Sequence, residues 1–211
     1  MIELIHGAKW WKFDFHNHTP KSNDFGKGDE LHKAITPKDW LLMYMNAGVD
    51  CVAITDHNSG EWIDTLKTTL AVMDISQPLG YRKIYLFPGV EISASGNIHI
   101  LALFDASAGT TEVQTLLGTV RFPAAHIGTT DAVSPDSVED IINAIHLAGA
   151  VAIPAHVDEA SGLTKAGDSR YRGQLSQRLA ALQQKGFRRG CRALSSRSTI
   201  FALLKGLCIP S

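Results

Sequence analysis

The chain has 211 residues, of which 45% are hydrophobic and 19% are charged, and its net formal charge at pH 7 is −1. This length and composition are ordinary for one globular domain with a sizeable core, and the lack of any run of about 18 apolar residues excludes a membrane span. Three widely spaced cysteines, an odd number, predict a reducing, cytoplasmic compartment and no disulfide framework.

The first quarter of the chain predicts two strands with a helix between them. The apolar runs WWKFDF (10–15) and DCVAIT (50–55) are rich in β-forming residues. Between them, Thr36 is a predicted N-cap, Pro37 the predicted first helical residue and Gly48 the predicted stop. This order of strand, helix and strand is typical of α/β folds.

Three further strands and two further helices are predicted downstream. The strands are KIYLFPGVEI (83–92), HILALF (99–104) and AVAIPA (150–155). One helix is predicted over residues 60–74 and another over 134–149, with Ser134 as its N-cap. The apolar runs lack clean alternation, which indicates strands covered on both faces. The predicted fold class is therefore α/β, either a barrel or an open parallel sheet.

Metal-binding side chains occur where these strands end. Reactive groups of α/β folds gather at the carboxyl ends of strands, and here those positions hold His16, His18, His57, Glu91 and His156. Residues i and i+2 of a strand face the same side, so His16 and His18 are expected to reach one ion. Imidazole nitrogens bind borderline divalent metals, and the Glu91 carboxylate can bridge two ions. His99 starts a strand, and its position alone argues against a place in this group.

The loops beside these strand ends supply further candidates. Asp24 lies in a loop rich in Gly, Asn and Ser that can fold back onto the histidines as a ligand. Asp56 is expected to point away from His57 and to orient a neighbouring side chain rather than bind metal. Three polar loop residues are predicted phosphate contacts: Lys21, Ser22 and Asn23.

The order of these motifs resembles a known family. HNH (16–18), TDHN (55–58), PGVEIS (88–93), His99 in HILALF and PAHVD (154–158) are similar to the motifs of the PHP (polymerase and histidinol phosphatase) superfamily. The flanking sequence more narrowly resembles the N-terminal PHP domain of TrlF-type AAA-like ATPases. The resemblance implies a distorted (β/α)7 TIM-like barrel that hydrolyses phosphoesters with two or three Zn, Mn or Fe ions.

The resemblance also implies roles for single residues. By motif position, His16 and His18 share one ion with Glu91, and Glu91 bridges to a second ion that His99 and His156 hold. Asp24 and His57 serve a third ion. The residues implied in catalysis are His16, His18, Glu91 and His156.

The C-terminal part departs from the family pattern. Members usually supply a further D-x-H pair near the end of the barrel, and no histidine follows His156 here. Residues 1–164 contain 10 Lys and Arg against 20 Asp and Glu, whereas residues 165–211 contain 10 Lys and Arg and one acid. We therefore expect a hydrolase domain over 1–164, incomplete at its C-terminal end, and a basic tail over 165–211. The tail is consistent with a solvated helix, a nucleic-acid contact or a continuation that is not native to the fold.

The favoured function is a metal-dependent phosphoesterase in which a metal-bound hydroxide attacks a phosphomonoester or phosphodiester. A nucleotide or nucleic-acid end is the favoured substrate, and an AAA-like ATPase domain in a longer parent protein is an expected partner, with no membrane partner. An amidohydrolase barrel is disfavoured because Glu91 stands where such sites often use a bridging lysine. The remaining alternative is a non-catalytic metal-binding module or gene fragment that serves a partner ATPase or a DNA-binding assembly.

Overall fold

The computed structural model describes residues 10–96 and 98–157. The strands in this part of the chain are β1 (Phe13–Asp14), β2 (Cys51–Ile54), β3 (Tyr85–Ala94), β4 (Ile98–Leu103) and β5 (Val151–Pro154). The α-helices are α1 (Glu30–Lys33), α2 (Pro37–Asn46), α3 (Ile63–Ser76), α4 (Thr110–Thr119) and α5 (Val138–Leu147), and a short 3-10 helix covers Ala124–His126. The predicted tail, 165–211, and the predicted domain boundary lie outside the described residues.

The five strands form one mixed sheet in the order β1-β2-β3-β4-β5. The first three strands are parallel, whereas β4 is antiparallel to both β3 and β5. The prediction of an α/β fold is confirmed, but a wholly parallel sheet is wrong. Only residues 95–97 separate β3 from β4, and a parallel connection needs a crossover of a dozen or more residues. The sheet curls into a half-barrel, and the (β/α)7 count stays a prediction.

Both faces of the central strands are covered, as the sequence predicted. Along β2, alternate side chains point to opposite faces. Val52 and Ile54 join the large core between the sheet and the helices, whereas Cys51 and Ala53 pack with Phe87 on the concave face. The central strands β2, β3 and β4 are thus largely buried, whereas β1 and β5 at the two edges of the sheet are partly exposed.

Of the two predicted helix N-caps, one is confirmed and the other is wrong. Thr36 caps α2 as predicted, and its hydroxyl accepts a hydrogen bond from the Asp39 N–H at 3.2 Å. The predicted cap of α5 is wrong, because Ser137 rather than Ser134 caps that helix. Ser134 is held elsewhere, since its hydroxyl donates to the Val120 carbonyl at 2.6 Å. No helix within the described ranges has the length and apolarity needed to cross a bilayer.

Candidate metal centre

Strand direction brings the predicted ligands together at one end of the sheet, called here the carboxyl rim. β1, β2 and β3 end at this rim, and β5, which runs parallel to β3, also ends there. Because β4 runs the opposite way, its first residues lie at the same rim, and His99 pairs with Ser93 near the end of β3. The backbone of Ala155 donates to the His99 carbonyl at 3.0 Å and fixes the turn that carries His156. His99 therefore lies at the carboxyl rim because it starts an antiparallel strand. The expectation that a residue at a strand start would lie away from the other histidines is wrong.

Glu91 is the centre of this group. Its side chain is completely buried. Its Oε2 atom lies 2.9 Å from His16 Nε2, 3.4 Å from His18 Nε2 and 3.3 Å from His57 Nδ1. Three imidazoles from two different loops thus converge on a single carboxylate oxygen.

The other oxygen of Glu91 faces a second pair of imidazoles. Oε1 lies 2.8 Å from His99 Nδ1 and 3.1 Å from His156 Nε2. These two nitrogens are 3.2 Å from each other. Two N–H groups cannot point at each other at that distance, so at least one nitrogen of the pair turns a lone pair inward. We call Glu91 and these five histidines the Glu91 cluster: His16, His18, His57, His99 and His156.

His16 and His18 reach Glu91 by a route that differs from the predicted one. β1 ends at Asp14, so the HNH residues form a loop beyond the strand and the strand pleat does not align them. Asn17 holds this loop from inside: its N–H donates to Thr55 Oγ1 at 2.9 Å, and its side-chain oxygen accepts from Tyr44 Oη at 2.6 Å. The two histidines share a target because the buried residue between them is anchored.

Asp24 extends the cluster toward solvent. Its Oδ2 atom lies 3.3 Å from His57 Nε2, as the folded-back loop predicted, and its side chain is 41% exposed. His57 is 5% exposed, and its Nδ1 atom, although 3.3 Å from Glu91 Oε2, makes no hydrogen bond within the described residues. A buried imidazole nitrogen without a partner is costly. A cation bound between the rings would satisfy it, so the residues present fit a metal site.

The charges in the cluster depend on each other. Burial alone would raise the pKa of Glu91, but hydrogen bonds from His16 and His99 and the nearby His57 hold that pKa far below its usual range. Burial lowers the pKa of His18 to about 4. Burial also disfavours charge on His57, but Asp24 and Glu91 together raise the His57 pKa above its ordinary value. The centre thus keeps an ionised carboxylate beside an imidazole that is neutral at pH 7.

Three overlapping sets of side chains could each hold an ion. In each set, the possible ligand atoms lie within 4.8 Å of one another: His16 with His18 and Glu91, His18 with Asp24 and His57, and His57 with Glu91 and His99. The first set is one that the family resemblance implies. The implied set of Glu91, His99 and His156 is present as well, since its ligand atoms lie 2.8 to 3.2 Å from one another. In the other two sets, His18 joins Asp24 and His57, and His57 joins Glu91 and His99.

Asp56 is fully buried beside the cluster, two residues beyond the end of β2. Its buried carboxylate accepts hydrogen bonds from the Thr19 N–H at 2.5 Å and the Thr19 hydroxyl at 2.6 Å. Burial raises the pKa of Asp56 to about 7, against the hydrogen bonds that favour its charged form. The carboxylate thus fixes the turn that follows His18, in keeping with an orienting role.

The three predicted phosphate contacts have different surroundings. The Lys21 ammonium lies 3.0 Å from Glu61 Oε2 at the surface. The Asn23 side chain is exposed, and its backbone N–H donates to the Gly128 carbonyl at 2.9 Å. Ser22, however, is 3% exposed, and its hydroxyl contacts His18 and the backbone of His57. Lys21 and Asn23 remain accessible to a substrate, whereas Ser22 faces the protein.

Asn58 is a structural member of the site that the sequence pattern did not predict. It is fully buried with φ of 50°, in the left-handed region that asparagine tolerates better than most residues. Its side-chain oxygen accepts from the Ser93 N–H at 2.9 Å, and its amide donates to the Thr129 carbonyl at 2.9 Å. Its backbone N–H donates to the Glu91 carbonyl, so Asn58 ties the His57 turn to the Glu91 strand.

Comparison with known proteins finds likeness among solved structures only. No model of a known protein family matches the chain, and no curated protein matches it either. Among solved structures, the chain is similar to a proposed metal-dependent phosphoesterase from Bifidobacterium adolescentis, with 17% sequence identity and a TM-score of 0.47. The alignment covers 93% of this chain and 74% of the other. Because this likeness is loose, the function is inferred below from the side chains of the centre.

Proposed function

We propose that this chain is a metal-dependent phosphoesterase of the PHP type whose Glu91 cluster holds two or three divalent cations. The observation that carries the proposal is the buried Glu91 carboxylate, which has imidazole nitrogens within 3.4 Å of both oxygens. Nitrogen and oxygen donors in this combination suit Zn²⁺, Mn²⁺ or Fe²⁺.

A purely structural role explains the cluster less well. A buried carboxylate is normally paired with Arg or Lys, whose positive charge is permanent. Here its near neighbours are imidazoles, and burial keeps His18 neutral at pH 7. The His57 Nδ1 atom makes no hydrogen bond to the described protein groups, whether it carries a proton or a lone pair. Bound cations account for both features.

The chemistry favoured for this centre is hydrolysis of a phosphate ester. Divalent cations, when bound, lower the pKa of coordinated water and neutralise phosphate oxygens. The Ser22 hydroxyl beside His18 is buried and engaged by two groups, which argues against Ser22 as a nucleophile. His16, with its side chain 29% exposed, and Asp24 stand on the open side of the cluster and would meet the substrate first. We therefore favour direct attack by water over a covalent intermediate.

The finer assignment is also a proposal. We favour a nucleotide or a nucleic-acid end as substrate and an AAA-like ATPase domain as partner, on the TrlF-type motif resemblance. Lys21 is the basic side chain placed to meet a phosphate, provided that it leaves Glu61. Residues 1–164 are strongly acidic, so a polyanion would approach through bound cations or the basic tail.

The deciding experiment measures metal content and hydrolysis on the same preparation. Protein purified without chelator is analysed for bound metals, and turnover of p-nitrophenyl phosphate and bis-p-nitrophenyl phosphate is followed after Zn²⁺ or Mn²⁺ is added. We expect two or three ions per chain and measurable turnover, both lost in Glu91→Gln. Glu30→Gln, at the surface pair with Lys33, is the matched control and should change neither.

The outcomes separate the competing functions. Bound metal without turnover of either ester would favour the non-catalytic module. Failure to bind Zn²⁺, Mn²⁺ or Fe²⁺ would refute the proposed function.

A further inference from the structure

Gly128 is buried at the carboxyl rim, although the residues on both sides of it are exposed or half-buried. Its φ of +78° lies in the left-handed region that favours glycine. A Cβ atom at this position would lie 2.6 Å from the Lys21 carbonyl oxygen, closer than real side chains approach. That oxygen belongs to the backbone, so no flexible side chain can move away to make room. Glycine therefore lets this loop pack directly against the Lys21 backbone.

The backbone of Gly128 joins two other loops of the rim. Its carbonyl accepts a hydrogen bond from the Asn23 N–H at 2.9 Å. Its own N–H donates to the Asn58 carbonyl at 3.4 Å, which is a long hydrogen bond. The Asn58 side-chain amide reinforces this contact, because it donates to the Thr129 carbonyl at 2.9 Å. Gly128 thus connects the loop that follows the HNH motif to the loop that follows β2.

Each end of this bridge is next to a predicted metal ligand. Asn23 precedes Asp24, and Asn58 follows His57. Asp24 Oδ2 lies 3.3 Å from His57 Nε2, and these two side chains form one set of possible ligands with His18. The Asp24 side chain is 41% exposed, so packing does little to hold it. The position of its carboxylate therefore depends on how the backbone beside it is anchored.

Two contacts anchor the backbone that leads into Asp24. The His57 N–H donates to Ser22 Oγ at 2.8 Å, two residues before Asp24. The hydrogen bond from Asn23 to Gly128 fixes the residue directly before Asp24. Loss of this second contact should let the Asp24 carboxylate move, while the Ser22 contact keeps the rest of the loop in place.

We propose that Gly128 is a positioning residue that links the backbones beside His57 and Asp24 and so holds the Asp24 carboxylate in place to share a cation with His57. This inference rests on the proposed function for the cation itself. Groups that orient metal ligands typically contribute about 10- to 100-fold to metal affinity. Gly128 acts in this way through its backbone rather than through a side chain.

The first test compares Gly128→Ala with Gly149→Ala. Gly149, which follows α5, has nearly the same φ, +77°, but a Cβ atom there would meet no atom within 4 Å. Both variants therefore introduce the same left-handed strain, and only Gly128→Ala also forces two loops of the rim apart. In a zinc competition titration, Gly128→Ala should weaken one bound ion about 10- to 100-fold, and Gly149→Ala should leave zinc binding unchanged.

A double-mutant cycle with Asp24→Asn separates positioning from a general structural effect. If Gly128 acts through the Asp24 carboxylate, Gly128→Ala should weaken zinc binding no further once that carboxylate is gone. Equal losses of zinc affinity in the two backgrounds would overturn the inference, and so would unchanged zinc affinity in folded Gly128→Ala.

Amide hydrogen exchange gives a readout that needs no metal. In wild-type protein without added metal, the Asn23 amide should be protected at least about tenfold, and Gly128→Ala should remove this protection while Gly149→Ala keeps it. An unprotected Asn23 amide in wild type would overturn the inference, even if Gly128→Ala does not fold. Wild-type protein that shows a protected Asn23 amide yet binds no metal would count against the proposed function and leave the bridge between the loops intact.

Discussion

The two ends of the same sheet neutralise their acidic side chains in different ways. At the amino rim, where β1, β2 and β3 begin, Asp50 accepts from the Lys12 N–H at 2.8 Å and from Arg82 Nη2 at 2.5 Å. Arg82 also donates to the Val49 carbonyl at 2.6 Å. At the carboxyl rim, Glu91 is fully buried and has imidazoles as its near neighbours.

The difference shows which rim is built to receive a ligand. Arg82 keeps its charge at any physiological pH, so the acid at the amino rim is neutralised by the chain itself. Imidazoles beside Glu91 carry charge only when they are protonated, and burial opposes protonation of His18. The carboxyl rim therefore has an excess of electron-pair donors over permanent positive charge. It is this imbalance, rather than the number of histidines, that points to bound cations.

The largest expected effect comes from removing one ligand of the carboxyl rim. His16→Ala should lower kcat/KM for a generic phosphodiester by more than about 100-fold, because even residues that only support a metal ligand contribute 10- to 100-fold. The fold should persist, since the side chain is 29% exposed and lies outside the strands. Steady-state kinetics and circular dichroism of the same sample check both expectations.

Asp50→Asn is the matched change at the amino rim. It removes a carboxylate charge from the same sheet and should leave kcat/KM unchanged within about twofold. A similar loss in both variants would show that the two rims are not functionally distinct. Turnover of His16→Ala at the wild-type rate would contradict the assignment of His16.

A smaller effect is expected on stability, and it too should be confined to the carboxyl rim. A ligand that binds only the native state at 100 times its Kd adds about 2.7 kcal/mol to the free energy of unfolding. Urea titrations with and without Zn²⁺ or Mn²⁺ should show this increment in wild type and in Asp50→Asn. Glu91→Gln should lose it. An increment that survives in Glu91→Gln would place the bound metal elsewhere.

The same comparison shows how far the sequence could predict the site. The types of side chain at this rim were predictable, because histidines and carboxylates at the ends of apolar runs are a local pattern. The position of His99 was not, because it depends on the direction of β4, which a short connection sets and side-chain chemistry does not. A strand start and the end of its neighbouring strand share a rim only where the two strands are antiparallel, as β3 and β4 are.

The buried hydrogen bonds that hold the site in place could not be predicted from the sequence either. Asn17 is fixed by Thr55, 38 residues away, and Asn58 by Ser93, 35 residues away. Hydrogen bonds over such separations leave no periodic signal in the chain. The same holds for Ser22, whose loop position suggested a substrate contact, although the fold buries its hydroxyl between two histidines. Local pattern thus predicted which types of side chain meet at the rim, and long-range contacts determined how they are arranged.

The smallest expected effect lies at the amino rim and depends on pH. Asp74 accepts hydrogen bonds from Tyr81 Oη and Lys83 Nζ, both at 2.6 Å. Burial slightly opposes ionisation, but these two donors hold the Asp74 pKa below its ordinary value, and the bond to Asp74 raises the pKa of Tyr81 to about 12. Because its folded-state pKa is depressed, Asp74 adds stability above its unfolded pKa of about 4, and that stability is lost as pH falls through the folded-state value.

Asp74→Asn should therefore lower the free energy of unfolding at pH 7 by only about 0.5 kcal/mol, since the three side chains are largely solvated and exposed ion pairs contribute little. The deficit should shrink toward zero below about pH 3, where the wild-type carboxyl is also neutral, and it should shrink in 1 M salt. Urea titrations at pH 3, 5 and 7 measure it. A deficit independent of both pH and salt would mean that Asp74 stabilises the amino rim by packing and neutral hydrogen bonds rather than by its charge. Asp50 would then be the one acid that supports the contrast between the two rims.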